Sequence, residues 1–118
     1  MNERDENLLY FIQEESELLL EMRDGCDLQA FLDSKMMQHD VSMALINIGE
    51  SVKSLSEDLK EENSGIEWRF IAGLRDVAAH NYGILQMERI WDVVTEDVPE
   101  LLDQVKNILL SGEGKKGK

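Results

Sequence analysis

The chain has 118 residues, 42% of them apolar, a single proline and a formal net charge of −13. That length holds one domain around one core, and the scarcity of proline, with glycines mostly at segment ends, argues against a turn-rich all-β fold. The acidity excludes a protein that grips nucleic acid over a broad basic face, and no apolar run reaches the roughly 18 residues that span a bilayer.

Taken in chain order, residues 5–24 form the first expected helix. Leu8, Ile12, Leu19 and Met22 share one face at helical spacing. Gly25 supplies a stop, and Asp27 caps a short helical turn through Leu32. Asp33 or Ser34 then caps a second long helix. In it Val41, Leu45, Ile48, Val52, Leu55 and Leu59 alternate steps of four and three, which is the seam of a bundle. Gly49 lies inside that seam and costs about 1 kcal/mol relative to alanine, so it predicts the close approach of another helix. The polar stretch 57–63 and Gly65 end this element. A third helix covers about 67–80, with Trp68, Ile71, Leu74 and Ala78 as its apolar stripe, Ala72 and Gly73 suited to tight packing, and Gly83 as its C-terminal glycine. Met87, Ile90, Trp91 and Val94 mark a fourth helix. Asp97 as N-cap and Pro99 in the first turn open a fifth, and the last two can instead be one bent helix. The expected fold is an all-α antiparallel helical bundle of about four long helices plus short ones. Residues 1–111 form one domain and residues 112–118 a flexible C-terminal tail.

Smaller features read as structural. Cys26 has no partner for a disulfide or a metal site and reads as a buried or half-buried thiol without a redox role. His39 reads as exposed, with no site role. The methionines near it read as core or interface filler, and Trp68 and Trp91 as packing anchors. Adjacent acidic residues on a helix diverge by about 100°, so the acidic runs read as solvated faces. The N-terminus lacks a signal-peptide pattern, so the expected location is cytoplasmic, with no membrane partner.

Chemistry concentrates in residues 73–83. Arg75, Asp76, His80, Asn81 and Tyr82 place a cation, an imidazole and a phenol within eight residues. RNA carries its own nucleophile, the 2′-hydroxyl. Its cleavage needs a base, an acid for the leaving 5′-oxygen and a cation for the phosphorane charge. Histidine suits the proton transfers, and the planar fork of arginine suits the anion. Neither role requires a metal or another cofactor. On an ideal helix Arg75 and His80 stand about 140° apart, and one chain offers one histidine here. A symmetric dimer with two motif helices face to face answers both points.

Arg75-x4-His80-x-Tyr82 resembles the signature of HEPN-domain ribonucleases, specifically the HepT-like toxins, and Asp76 fits the polar residue that often follows the arginine there. Three further blocks resemble that family in order and spacing: residues 48–56 (its IGEA-K-LS stretch), residues 66–69 (its IPWR stretch, with Glu67 in place of proline) and residues 90–101 (its VWD…DLPEL tail). The resemblance covers about residues 7–110. It implies a metal-independent endoribonuclease toxin with Arg75 and His80 catalytic and Asp76 in possible support; Asn81, from its own side chain, is a further candidate for hydrogen bonding in the cleft. It also implies a homodimer with a composite cleft. The expected partners are an RNA substrate and a cognate MntA-like nucleotidyltransferase antitoxin, with a larger hetero-oligomer left open. That antitoxin would transfer AMP to Tyr82, whose added bulk and negative charge would exclude the substrate phosphate.

Blander roles stand beside these. Arg75 alone reads as an ion-pairing residue with Asp76, Glu67 or Asp92, His80 alone as a helix-end cation or a satisfied core group, and Tyr82 alone as a core aromatic with its hydroxyl at the surface. Asp76 orients Arg75 or His80, or is simply solvated. The alternative function is a non-catalytic HEPN module that binds a nucleotide or docks the nucleotidyltransferase. A third is a plain helical interaction protein.

Overall fold

Asn2 starts the first helix, its side chain accepting from the Asp5 N–H at 2.7 Å. The computed structural model describes residues 1–80 and 83–116, with side chains described through Gly112. Among the described residues there is no strand. Seven α-helices follow one another: α1 (Glu3–Asp24), α2 (Leu28–Asp33), α3 (Lys35–Ser54), α4 (Glu57–Glu62), α5 (Trp68–Ala79), α6 (Gly83–Asp92) and α7 (Val98–Lys116). The architecture is the all-α helical bundle that the periodicity predicts. The last helix continues to Lys116, past residue 111 where the sequence suggests the domain boundary.

Side-chain caps open the first four helices. Asp27 accepts from the Ala30 N–H at 2.9 Å and opens α2. Ser34, rather than Asp33, caps α3, accepting from the Met37 N–H at 3.1 Å. α3 packs on α1 and on α5, α7 lies against α1, and α2 reaches α6. Phe31, Leu9, Ile12, Leu45, Ile48 and Leu74 are fully buried where these helices meet, each contributing about 1.5–3 kcal/mol through burial. The ring of Trp91 packs on Phe31 with centroids 5.3 Å apart. Trp68 is buried, its indole N–H donating to the carbonyls of Lys60 and Asn63. Both tryptophans are thus packing anchors.

The expected second helix is broken. α3 ends at Ser54, Leu55 turns extended (φ −65°, ψ 147°), and Ser56 caps the separate α4 by accepting from the Leu59 N–H. Asp5 on α1 holds this break. Its carboxylate is 2% exposed and accepts from the Ser56 N–H at 2.9 Å and from its hydroxyl at 2.6 Å. Leu55 and Leu59 stay buried, so the apolar rhythm runs across a break that only tertiary contact creates.

Asp97 does not cap a fifth helix. The chain stays helical from α6 into α7 through a π-turn at Val93–Asp97, where the Val98 N–H donates to the Val93 carbonyl five residues back. Pro99 follows at once. Its ring would crowd a carbonyl of the preceding turn and it brings no N–H, and the wider turn relieves both. α6 and α7 are therefore one helix bent at a defined place.

Candidate functional site

α5 delivers the arginine and ends at the histidine. Its stripe of Trp68, Ile71, Leu74 and Ala78 is buried, which leaves Arg75, Asp76 and His80 toward solvent. Gly49 on α3 determines how closely the two helices approach. A β-carbon there would stand 2.7 Å from Arg75 Cβ, 2.8 Å from Arg75 N and 2.9 Å from the Ala72 carbonyl oxygen. The close approach expected at Gly49 is present, and Ala72 is one of the residues it meets. Gly73, expected to pack tightly as well, does not: a β-carbon there meets nothing within 4 Å.

Two carboxylates hold the guanidinium. Arg75 Nε donates to Glu50 Oε1 at 2.8 Å and Nη1 to Asp76 Oδ1 at 3.1 Å. The hydrogen bonds that Arg75 donates to Asp76 and Glu50, with the Glu50 charge, raise the Arg75 pKa above its ordinary value. Of the three ion-pair partners that the sequence offers, Asp76 meets Arg75, and Glu67 and Asp92 do not. Glu50 was hidden among many acidic residues. Its signal in the sequence is its place directly after the glycine at the helix crossing.

His80 is the C-cap of α5, its N–H donating to the Asp76 carbonyl at 3.3 Å. The same carbonyl lies 2.9 Å from His80 Nδ1. A carbonyl oxygen only accepts, so Nδ1 carries the proton and Nε2 of the neutral ring keeps its lone pair. Asp76 therefore touches both neighbours, Arg75 through its carboxylate and His80 through its backbone. Asn81 and Tyr82 lie outside the described residues.

Beyond them Gly83 takes φ +80°, a left-handed conformation that suits glycine. It opens α6 rather than closing α5, which ends at Ala79. Gln86 Nε2 donates to the Val77 carbonyl at 2.7 Å and ties α6 back to the end of α5. His39 is exposed, as its sequence context predicts. It also lines a groove with Lys35, Gln38, Gly83, Ile84 and Met87, at the end of the bundle that carries the motif.

One exposed face joins three helices. Asn47 Nδ2 on α3 donates to Glu15 Oε1 on α1 at 3.3 Å. Phe11 and Leu18 share the α1 face of Glu15, and Met43 and Glu50 share the α3 face of Asn47, by helical spacing. Through Glu50 that face continues to Arg75 on α5. Phe11, Leu18 and Met43 are 38%, 60% and 51% exposed on it. At the α1–α2 turn, Cys26 is half-buried, with its sulfur 3.5 Å from the Met37 and 3.6 Å from the Met22 thioether. No helix among the described residues is long and apolar enough to cross a membrane.

A family model described as Ribonuclease HepT-like matches residues 12–108. The chain is 35% identical over 101 residues to Putative RNase TTE0752 of Caldanaerobacter subterraneus subsp. tengcongensis, a match spanning 86% of this chain and 90% of that protein. It is 31% identical over 107 residues to Putative RNase MJ1380 of Methanocaldococcus jannaschii, across 90% and 98% of the two chains. It is 34% identical over 101 residues to Probable ribonuclease HepT of Thermococcus cleftensis, across 86% and 92%. No solved structure matches.

Proposed function

Because the chain belongs to the HepT-like ribonuclease family, we propose that it is a metal-independent endoribonuclease toxin acting through Arg75 and His80. The observation that carries this reading is the double engagement of Asp76. Its carboxylate accepts from the Arg75 guanidinium, and its carbonyl orients the His80 ring with Nε2 as the acceptor. Nε2 takes the proton of a ribose 2′-hydroxyl. The 2′-oxygen attacks the adjacent phosphorus, Arg75 stabilises the added negative charge, and the 5′-oxygen leaves with a proton from a second acid. The products are a 2′,3′-cyclic phosphate and a 5′-hydroxyl.

The second acid is His80 of a second copy. The exposed Phe11, Leu18 and Met43 lie on the face that carries Arg75. An apolar patch on that face supports a symmetric dimer whose cleft gathers two arginines and two histidines. Asn81, next to His80, is a supporting residue of the cleft.

Tyr82 is the acceptor for a cognate MntA-like nucleotidyltransferase antitoxin. Its phenolic oxygen attacks the α-phosphorus of ATP, pyrophosphate leaves, and AMP remains bonded to the tyrosine. The new anion stands two residues from His80 in sequence and repels the RNA phosphate.

The test is RNA cleavage by unmodified protein in excess chelator, beside Arg75→Ala and His80→Ala, each checked for folding by circular dichroism. Cleavage by the wild type alone supports the reading, and equal cleavage by either variant removes it. The net charge of −13 and the guanidinium already bridged by two carboxylates favour one rival, a docking module for the nucleotidyltransferase. Tight nucleotidyltransferase binding without cleavage of any cellular RNA would establish that rival.

A further inference from the structure

We propose that Glu50 is a positioning residue that holds the Arg75 guanidinium in its phosphate-binding orientation, an inference that rests on the role given to Arg75 above. The root of Arg75 is already fixed. Its β-carbon sits against Gly49, where the two helices leave no room for a side chain. The tip has no such restraint from packing, since the Arg75 side chain is 41% exposed. A long side chain anchored only at its base samples many rotamers.

Asp76 alone restrains the tip poorly. It is the next residue on the same helix, it is 64% exposed, and its bond to Nη1 is the longer of the two at 3.1 Å. Successive helical residues point about 100° apart, so this pair depends on the same mobile torsions that it would have to fix. Glu50 comes from another helix. Its 2.8 Å bond to Nε therefore ties the tip of Arg75 to α3, and α3 is held by its buried contacts with α1 and α5.

The choice of nitrogen matters. With Glu50 on Nε and Asp76 on Nη1, the Nη2 amine carries no bond among the described residues. Nη2 keeps both of its N–H groups and Nη1 keeps one, enough donors to take two phosphate oxygens at once. Glu50 thus occupies the edge that substrate does not need and sets the plane of the edge that it does.

A positioning role differs in sign from simple competition. If Glu50 only competed with phosphate for the cation, removing it would speed cleavage. If it orients the cation, removing it slows the chemical step, and misplacement by about 1 Å costs about a hundredfold.

The experiment measures single-turnover and steady-state RNA cleavage by unmodified protein carrying Glu50→Ala, Glu50→Gln, Glu50→Asp, Arg75→Ala or the Glu50→Ala/Arg75→Ala pair. Glu50→Ala is expected to lower kcat about a hundredfold with KM within about threefold. Glu50→Gln recovers most of the rate, because its amide oxygen still accepts from Nε. Glu50→Asp keeps the charge but falls short of Nε, and stays slow, which decides the matter if Glu50→Ala does not fold. In the Arg75→Ala background the Glu50 change adds no further loss. The Arg75 Nε–H resonance provides a readout without catalysis: protected from exchange in wild type and Glu50→Gln, and lost in Glu50→Ala and Glu50→Asp.

Glu50→Ala or Glu50→Asp cleaving at or above the wild-type rate, with Arg75→Ala inactive, overturns this inference alone. Arg75→Ala cleaving like wild type, or a wild type that cuts no RNA, overturns the assigned role of Arg75 and this inference with it.

Discussion

Gly49 and Arg75 meet where α3 and α5 cross, so close that a β-carbon on Gly49 would stand 2.7 Å from Arg75 Cβ. Two of the other atoms it would meet are backbone, Arg75 N at 2.8 Å and the Ala72 carbonyl oxygen at 2.9 Å. None of the three is the far end of a flexible side chain, so the helices themselves must separate to admit a methyl group.

Gly49→Ala should therefore destabilise the fold by about 1–3 kcal/mol through overpacking, despite the better helix propensity of alanine. Gly73→Ala should have the opposite sign, since its β-carbon meets nothing within 4 Å. It should stabilise the monomer by up to about 1 kcal/mol. Urea unfolding of the two variants checks the contrast, and two shifts of the same sign would contradict it.

Two buried oxygen-bearing residues should respond in opposite ways. Asp5→Ala strips both bonds from Ser56 and leaves its half-buried N–H and hydroxyl proton without an acceptor among the described residues, at a cost of about 1–3 kcal/mol. Ser16 is fully buried and its Oγ has no partner among the described residues. Ser16→Ala removes that unpaired group and should be neutral or stabilising by about 1 kcal/mol. Thermal melts separate them, and a large loss in Ser16→Ala would reveal a bond that the geometry does not show.

Acidity should help the π-turn. Burial pushes the Asp97 carboxyl above its ordinary value of 3.8, and the Glu100 and Asp92 carboxylates add to the shift. The folded chain then holds this proton more tightly than the unfolded chain. Stability falls as pH rises from 3.8 toward the raised folded value, and the penalty is complete above it. Asp97→Asn should melt higher than wild type at neutral pH, and the gap should close below 3.8. An unchanged or lower melting point at neutral pH would contradict this.

What the sequence made legible was mostly local. Asp27 and Ser34 act on N–H groups three residues away, so their spacing alone reveals them. Gly49 could be read because a glycine inside an unbroken seam needs a reason. The break after Ser54 could not, because Asp5, fifty-one residues before Ser56, stabilises it while the apolar rhythm continues across. Pro99 was visible, but whether a proline starts a helix or bends one depends on the turn before it, here a π-turn. At the candidate site, the contacts that Asp76 makes to Arg75 and His80 follow from their order on one helix. Glu50 was missed because its partner lies on another helix, and the partners considered for Arg75 excluded α3.

Cleavage of an RNA carrying a single 2′-deoxy substitution at a mapped cut site tests the central claim most directly. Attack by the neighbouring 2′-oxygen, with Arg75 and His80 as the working groups, predicts that the all-ribose strand is cut to a 2′,3′-cyclic phosphate. It also predicts that the substituted strand survives at that position. Cleavage of the substituted strand at the same position, or a 5′-phosphate on the downstream product, would contradict it.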